Sequence, residues 1–260
     1  MRLDSDPTPQ KDHDALVELL KADMPEGNLP PKVIPVKVHI IREDDGSGGM
    51  SPDLVIPGID TLNAFFAQTN LQFSLCGGPN FIDNSDFYVV ANDPVSQGYG
   101  PALSEMAQNN EPDVVNIFVV DSFSSPPPSI FAGWASFPWN QSQYIAIRHD
   151  FFDTFTLAHE MGHFLGLYHT HEDLLGDGKE YVNGSNCLSA GDFLCDTPAD
   201  PNLLYYTDDN CQYVGTLTDP LGDAYQPDVE NIMSYSGCVE TLFSPQQTRR
   251  MNYYLPDLHE

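Results

Sequence analysis

Basic residues are what this sequence most lacks. It carries 10 Lys and Arg against 38 Asp and Glu in 260 residues, a formal charge of −28 and a pI near 4.1. Nucleic acid and anionic membranes are bound by clustered Lys and Arg, so neither is expected as a partner. No apolar run approaches the roughly 18 residues of a membrane-spanning helix, and the opening MRLDSDPTPQ has no apolar leader segment. A CxxC pair is also missing, which weakens the zinc-ribbon and thioredoxin readings. No cysteine precedes Cys76, so a cysteine within the first 30 residues is not available to silence a metal site. Disorder is excluded from the other side, because 41% of the residues are hydrophobic, too many for a solvated acidic tail. The acidity therefore belongs to a globular protein, where it favours solubility and divalent cations without specifying a fold.

What is present falls into an extension and a globular part. Residues 1–30 are polar and Pro-rich at both ends around one helical pattern, DHDALVELLKADM, and read as an extension or pro-segment remnant. From Val33, VIPVKVHII is β-branched and alternating, a strand. IDTLNAFFAQTN spaces Ile59, Leu62, Phe65 and Phe66 as a helix does. LQFSLC is a second strand, and DVVNIFVV a third, apolar on both faces and hence central. After the loop SSPPPS, FAGWASFP has Gly inside and Pro at its end, which suits an edge strand. QYIAIRH is another strand. Asp153 to Gly166 then reads as a helix with Asp153 as N-cap and Gly166 as its stop. Residues 170–230 are rich in Asp, Gly, Asn and Pro, a loop-dominated stretch that needs staples. Cys187, Cys195, Cys211 and Cys238 lie there or just beyond and allow three pairings, while the isolated Cys76 is expected as a buried free thiol.

The segment HEMGHFLGLYH, residues 159–169, carries the chemistry. His159 and His163 stand four apart on a helix, so both imidazoles leave one face and can each give a nitrogen to zinc. Gly166 permits a sharp turn that returns His169 as a third ligand. Three protein ligands leave one coordination position open for water, the mark of a catalytic zinc. Glu160 is placed to take a proton from that water. The full pattern HExxHxxGxxH arises by chance in roughly one such sequence in 10⁵, which sets the chance reading aside.

This pattern is the metzincin signature, and metzincins carry a Met-turn downstream. NIMSYS at 231–236 resembles it, with Met233 as the apolar floor of the metal site and Tyr235 as the tyrosine that several metzincins turn towards the oxyanion. HEMGHFLGLYHTH, GDFLCDTP at 191–198, NIMSYS, Cys238 and FSPQQTRRM together resemble one branch, the pappalysins and their ulilysin-like relatives, over about residues 33–252. The resemblance implies a metzincin-like α/β fold. Its upper subdomain, about 31–168, holds a twisted five-stranded, mostly parallel sheet with a backing helix and the active-site helix. Its lower subdomain, about 169–260, is irregular and closes on a helix near SPQQTRRMNYYL. The resemblance also implies a calcium site at Asp192 and Thr197 with Asp196 in support. It suggests Cys211–Cys238 with Cys187–Cys195, and the crossed pairing Cys187–Cys211 with Cys195–Cys238 stays open.

The expected activity is that of a secreted, monomeric zinc endopeptidase acting on proteins and peptides. Substrate would lie along the edge strand Gly133, Trp134, Ala135 and Ser136, adding a strand by main-chain hydrogen bonds. Ulilysin-like enzymes place an acid just before the cysteine that follows the Met-turn, to favour basic residues. Here that position is Gly237, and Glu240 is the nearest substitute. Two other readings use the same residues: a calcium-dependent binding module on a degenerate protease fold, and a structural zinc protein needing His171 or His149 as fourth ligand.

Overall fold

A computed structural model describes residues 17–18, 29–91, 100–124 and 131–255. The helical pattern before Met24 and the SSPPPS loop lie almost wholly outside these residues. Contacts divide the chain into two compact units, Pro30–Phe164 and Leu165–Leu255.

The first unit is built on a sheet in the order β2-β1-β5-β8-β7. The strands are β1 (Lys32–Arg42), β2 (Leu71–Leu75), β5 (Val115–Val120), β8 (Ile145–Arg148) and β7 (Gly133–Ala135). Neighbours pair parallel except β7, which runs antiparallel to β8 on the edge. In β1, Ile34, Val36, Val38 and Ile40 are buried on one face, and His39 and Ile41 are buried on the other. Every residue of β5 is buried, as expected of a central strand covered on both faces.

The sheet has six strands rather than the expected five. A short β3 (Asn80–Asp83) pairs with His39–Arg42 of β1, where β2 pairs with Lys32–Val36. Both must lie on the flank opposite β5, because Val36 and Ile40 also pair with β5. A separate two-stranded sheet joins β4 (Val89–Ala91) to β6 (Ser122–Ser124). A helix spans Val55–Phe65 and buries Val55, Gly58, Ile59 and Leu62. It begins ahead of Pro57, because proline in a first turn sacrifices no helical hydrogen bond. A Cβ on Gly58 would collide with the Phe152 ring, so this helix packs at glycine distance.

Cys76 is exposed, contrary to the expectation of a buried thiol. Along β2, Leu71 and Phe73 are buried while Gln72 and Ser74 are exposed. Cys76 continues the exposed parity, and its amide donates to the Val36 carbonyl.

The second unit has little regular structure apart from the helix Pro245–Tyr254. Ser244 caps that helix in a reciprocal capping box with Gln247. The disulfides are Cys187–Cys195 and Cys211–Cys238. Side-chain carboxylates fold the loops: Asp208 Oδ1 accepts from the amides of Asn210 and Gln212, and Asp219 accepts from Leu221, Asp223 and Val182. Arg250, 2% exposed, lies with its guanidinium 4.5 Å from the Tyr168 ring and donates to the Asp192 carbonyl at 2.9 Å.

Candidate metal centre and active site

The helix Phe155–Phe164 is buried from Thr156 through Phe164. Its first turn is held by Thr154, whose hydroxyl accepts from the Thr156 amide at 3.2 Å, so Asp153 is not the capping side chain. The helix is followed by Gly166 at φ +92°, a left-handed conformation that favours glycine, and a Cβ there would lie 2.5 Å from the Tyr254 ring. Along this single stretch, one nitrogen each of His159, His163 and His169 lie within 4.8 Å of one another. Imidazole nitrogens so gathered are the donor set that zinc prefers. Neither His171 nor His149 joins the cluster among the described residues. His149 stands 3.8 Å from the Asp121 carboxylate, and His171 stacks on His169.

Glu160 is buried, and burial alone pushes its carboxyl up to about 8. Its neighbour is the edge strand. A Cβ on Gly133 would come within 2.8–3.0 Å of the Glu160 side chain, so β7 approaches this carboxylate only because residue 133 has no side chain. The Phe137 ring meets His163 edge-on at 5.5 Å and stacks on Trp139 at 4.7 Å.

The four edge residues expected to hold substrate divide by hydrogen-bond parity. Arg148 N donates to Ala132 O at 2.9 Å, and Ser136 N donates to Tyr144 O at 3.0 Å. In an antiparallel pair these rungs turn the main chains of Ala132, Trp134 and Ser136 towards β8, and those of Gly133 and Ala135 towards the open edge. The Ser136 hydroxyl is spent as well, accepting from Tyr144 N and donating to Tyr144 O. Trp134 packs on Tyr144 at 5.1 Å.

In the second unit Met233 is fully buried and its carbonyl accepts from the Thr170 amide at 3.1 Å, one residue beyond His169. Asn231 Oδ1 accepts from the Met233 amide, and the side-chain amides of Asn231 and Gln247 bond reciprocally at 3.0 Å. The turn is thereby fastened to the C-terminal helix. The Tyr235 ring lies 4.6 Å from His169 and 4.7 Å from His171. Glu240 is buried and bonded into the same turn, so its carboxylate is not displayed as a surface acid.

Asp192 and Thr197 come together: Asp192 Oδ1 accepts from the Thr197 hydroxyl and the Leu194 amide, each at 3.0 Å. Asp196 turns elsewhere, accepting from the Ser244 hydroxyl at 2.6 Å and the Gln246 amide at 2.7 Å, where it reinforces the helix cap. Glu180 was not anticipated. It borders a cavity of about 70 Å³ that Glu172, Asp173, Gly191 and Asp200 also line. Its Oε2 and the Oδ2 of Asp192 are buried without a hydrogen-bond partner. Burial pushes Asp192 up to about 7. Burial and then the Asp192 charge push Glu180 up to about 8. Bare buried carboxylate oxygens are expensive unless a cation meets them, so this donor set suits a hard divalent ion. Glu180 and Asp192 stand at the two ends of the loop 181–191, and no backbone period relates them, so a sequence reading has no spacing signal by which to find Glu180.

Comparisons with known proteins agree with this geometry. Residues 133–256 match the peptidase M43 family described as pregnancy-associated plasma protein-A. An extracellular metalloprotease of Colletotrichum graminicola is 27% identical over 247 residues, covering 87% of this chain and 78% of that protein. Pappalysin-1 of Mus musculus is 28% identical over 160 residues, 54% of this chain but 9% of that much longer protein. Among solved structures, mature mirolysin of Tannerella forsythia in complex with a cleaved peptide superposes with a TM-score of 0.58 at 20% identity, covering 86% of this chain and 92% of that one. The fold is thus the α/β fold of mirolysin, with a mostly parallel sheet, and the stretch 133–256 is similar to the peptidase M43 family.

Proposed function

We propose that this chain is a secreted zinc endopeptidase that cleaves internal bonds of proteins and peptides. The observation that carries the reading is the gathering of His159, His163 and His169 along one segment, with Glu160 between the first two and pressed against the edge strand at Gly133. The three imidazoles would hold the ion. When bound, zinc supplies Lewis acidity to the scissile carbonyl and lowers the pKa of its water.

The remaining work falls to the chain. The outward main-chain groups of Gly133 and Ala135 bind an extended substrate as an added strand. The contact between Gly133 and Glu160 brings the peptide bond aligned at that rung to the carboxylate. Glu160 takes the proton from the attacking water and passes it to the leaving nitrogen. The Tyr235 phenol donates to the developing oxyanion, and Met233 forms the apolar base of the site. Asp192, Thr197 and Glu180 hold a structural calcium ion. The catalytic domain comprises residues 31–260, with an upper part to about 168, a lower part from 169, and residues 1–30 as an extension. The working unit is a monomer. Two disulfides and the extracellular metalloproteases among the relatives support secretion.

Glu160→Ala tests the mechanism. Zinc content should be retained while chelator-sensitive casein cleavage falls by roughly 10²–10⁴-fold. Cleavage near the unmutated rate would overturn it. Zinc bound without chelator-sensitive cleavage in the unmutated protein would favour the binding module instead.

A further inference from the structure

The Met-turn contains a buried acid that neither the metal ligands nor the proposed proton transfer uses. Glu240 is 1% exposed. Its Oε1 accepts from the Ser236 amide and from the Ser236 hydroxyl, both at 2.9 Å. It also accepts, at longer range, from the Gly237 amide at 3.3 Å and the Ser234 hydroxyl at 3.4 Å. The Ser236 hydroxyl oxygen accepts in turn from the Cys238 amide at 3.1 Å, and Cys238 is crosslinked to Cys211. Ser236 O accepts from the Thr207 hydroxyl at 2.7 Å.

These donors are not spread over the unit. They come from the residues before and after Tyr235 and from the one beyond. Ser234 and Ser236 set the main-chain direction on either side of Tyr235, and hence where its ring can go. The ring is 39% exposed, with centroids of His169 and His171 less than 5 Å away. A half-exposed phenol on a loop would otherwise sample several rotamers. The carboxylate makes the turn around it rigid, at the expense of burying Oε2 with no partner. Burial raises the carboxyl to about 7 even though every one of its hydrogen bonds lowers it. Loop cohesion alone did not need such a group here, since the disulfide and the Asn231–Gln247 pair already fasten the turn at both ends.

We propose that Glu240 is the positioning residue for Tyr235: by chelating the donors of Ser234, Ser236 and Gly237 it holds the phenol at the place where oxyanion charge develops. The proposal rests on the role given to Tyr235 under the proposed function. Glu240 touches no substrate and acts only through the tyrosine.

A double-mutant cycle with the full chain and a fluorogenic peptide tests it. Removing one oxyanion donor outright costs about 10²–10³ in kcat. Loosening the tyrosine through Glu240→Gln should cost about 10-fold in kcat with KM within about 2-fold. In a Tyr235→Phe background the same substitution should change kcat by less than about 2-fold. Amide exchange at Ser236 and Gly237 should also quicken in Glu240→Gln. Should Glu240→Gln fold poorly, Ser236→Ala removes one hydroxyl donor and leaves the carboxylate. It should give a smaller kcat loss that likewise disappears in the Tyr235→Phe background. An equal kcat loss in both backgrounds, or a change confined to KM, would overturn the positioning role alone. Absence of chelator-sensitive cleavage in the unmutated protein would instead overturn the proposed function on which it rests.

Discussion

In Pro30–Phe164 the groups that give order are apolar and in register. In Leu165–Leu255 they are polar, local and crosslinked. The sheet unit buries whole strands, with every residue of β5 buried and both of its edges paired, to β1 and to β8. The loop unit buries scattered apolar residues such as Leu203, Ile232 and Met251, and adds carboxylates folded onto nearby amides, two disulfides, a capping box and the Asn231–Gln247 amide pair. The chemistry divides accordingly. The proposed general base Glu160 and the candidate zinc ligands His159 and His163 sit on a buried helix of the sheet unit. The tyrosine and the candidate calcium ligands sit on loops, where each needs supporting hydrogen bonds of its own.

If the sheet unit depends on packing, its weakest point to attack is the centre. Phe118 is fully buried, stacks on His39 at 4.5 Å and meets Tyr144 edge-on. Phe118→Ala should cost about 3–5 kcal/mol, measured by denaturant unfolding. A cost below about 1 kcal/mol would mean that packing is not what orders this unit. For the loop unit the matching experiment is to replace Cys211 and Cys238 together by Ser. That opens a span of 27 residues and should cost about 3 kcal/mol, with hydrogen exchange rising between residues 205 and 240 and not in β5. Uniform acceleration across both units would erase the distinction.

Calcium removal comes next in size. A calcium-selective chelator that leaves zinc in place should lower the melting temperature. The loss is about 2.7 kcal/mol if free calcium had stood a hundredfold above its dissociation constant. An unchanged melting temperature would leave Asp192 and Glu180 as uncompensated acids.

The smallest effect belongs to His39. Its Nε2 meets Asn116 Oδ1 at 2.8 Å and its Nδ1 meets Asn80 at 3.2 Å. Burial holds its pKa below the usual value; the Asn116 bond and the Glu111 charge oppose that shift, and the Lys37 charge adds to it. The folded protein therefore binds this proton less readily than the unfolded chain does. Stability should be intact above about pH 6.5 and decline as pH falls below it through the folded-state value. His39→Gln should flatten that part of the acid limb. An unaltered pH profile would place the acid sensitivity elsewhere.

How much could be read in advance followed the range of the signal. The β-branched run at 33–41 and the apolar run at 115–120 announce strands because their neighbours merely complete a pattern the residues already carry. β3 has no such pattern: Asn80–Asp83 alternates between half-buried and exposed, and it becomes a strand only because β1 extends past β2 and offers a free flank. The edge strand was legible as an edge, but which of its residues face outward depended on its pairing with β8. Asp196 looked like part of a cation loop and proved to cap a helix 48 residues away, while Glu180 gave no sign of its closeness to Asp192.

Local features are written in the residues: the helix periodicity that puts His159 and His163 on one face, the glycine that lets the chain turn before His169, and the alternation of the long strands. Folding supplied the rest. It pressed Gly133 against Glu160, folded Glu240 into the turn around Tyr235 and left Asp192 and Glu180 with bare oxygens. Gly133 and Glu160 lie far apart in the chain, and although Glu240 stands only four residues from Ser236, no backbone period relates such residues to one another in a loop-rich region. Their meeting is fixed by closure of the loops and by the need of each buried polar atom for a partner.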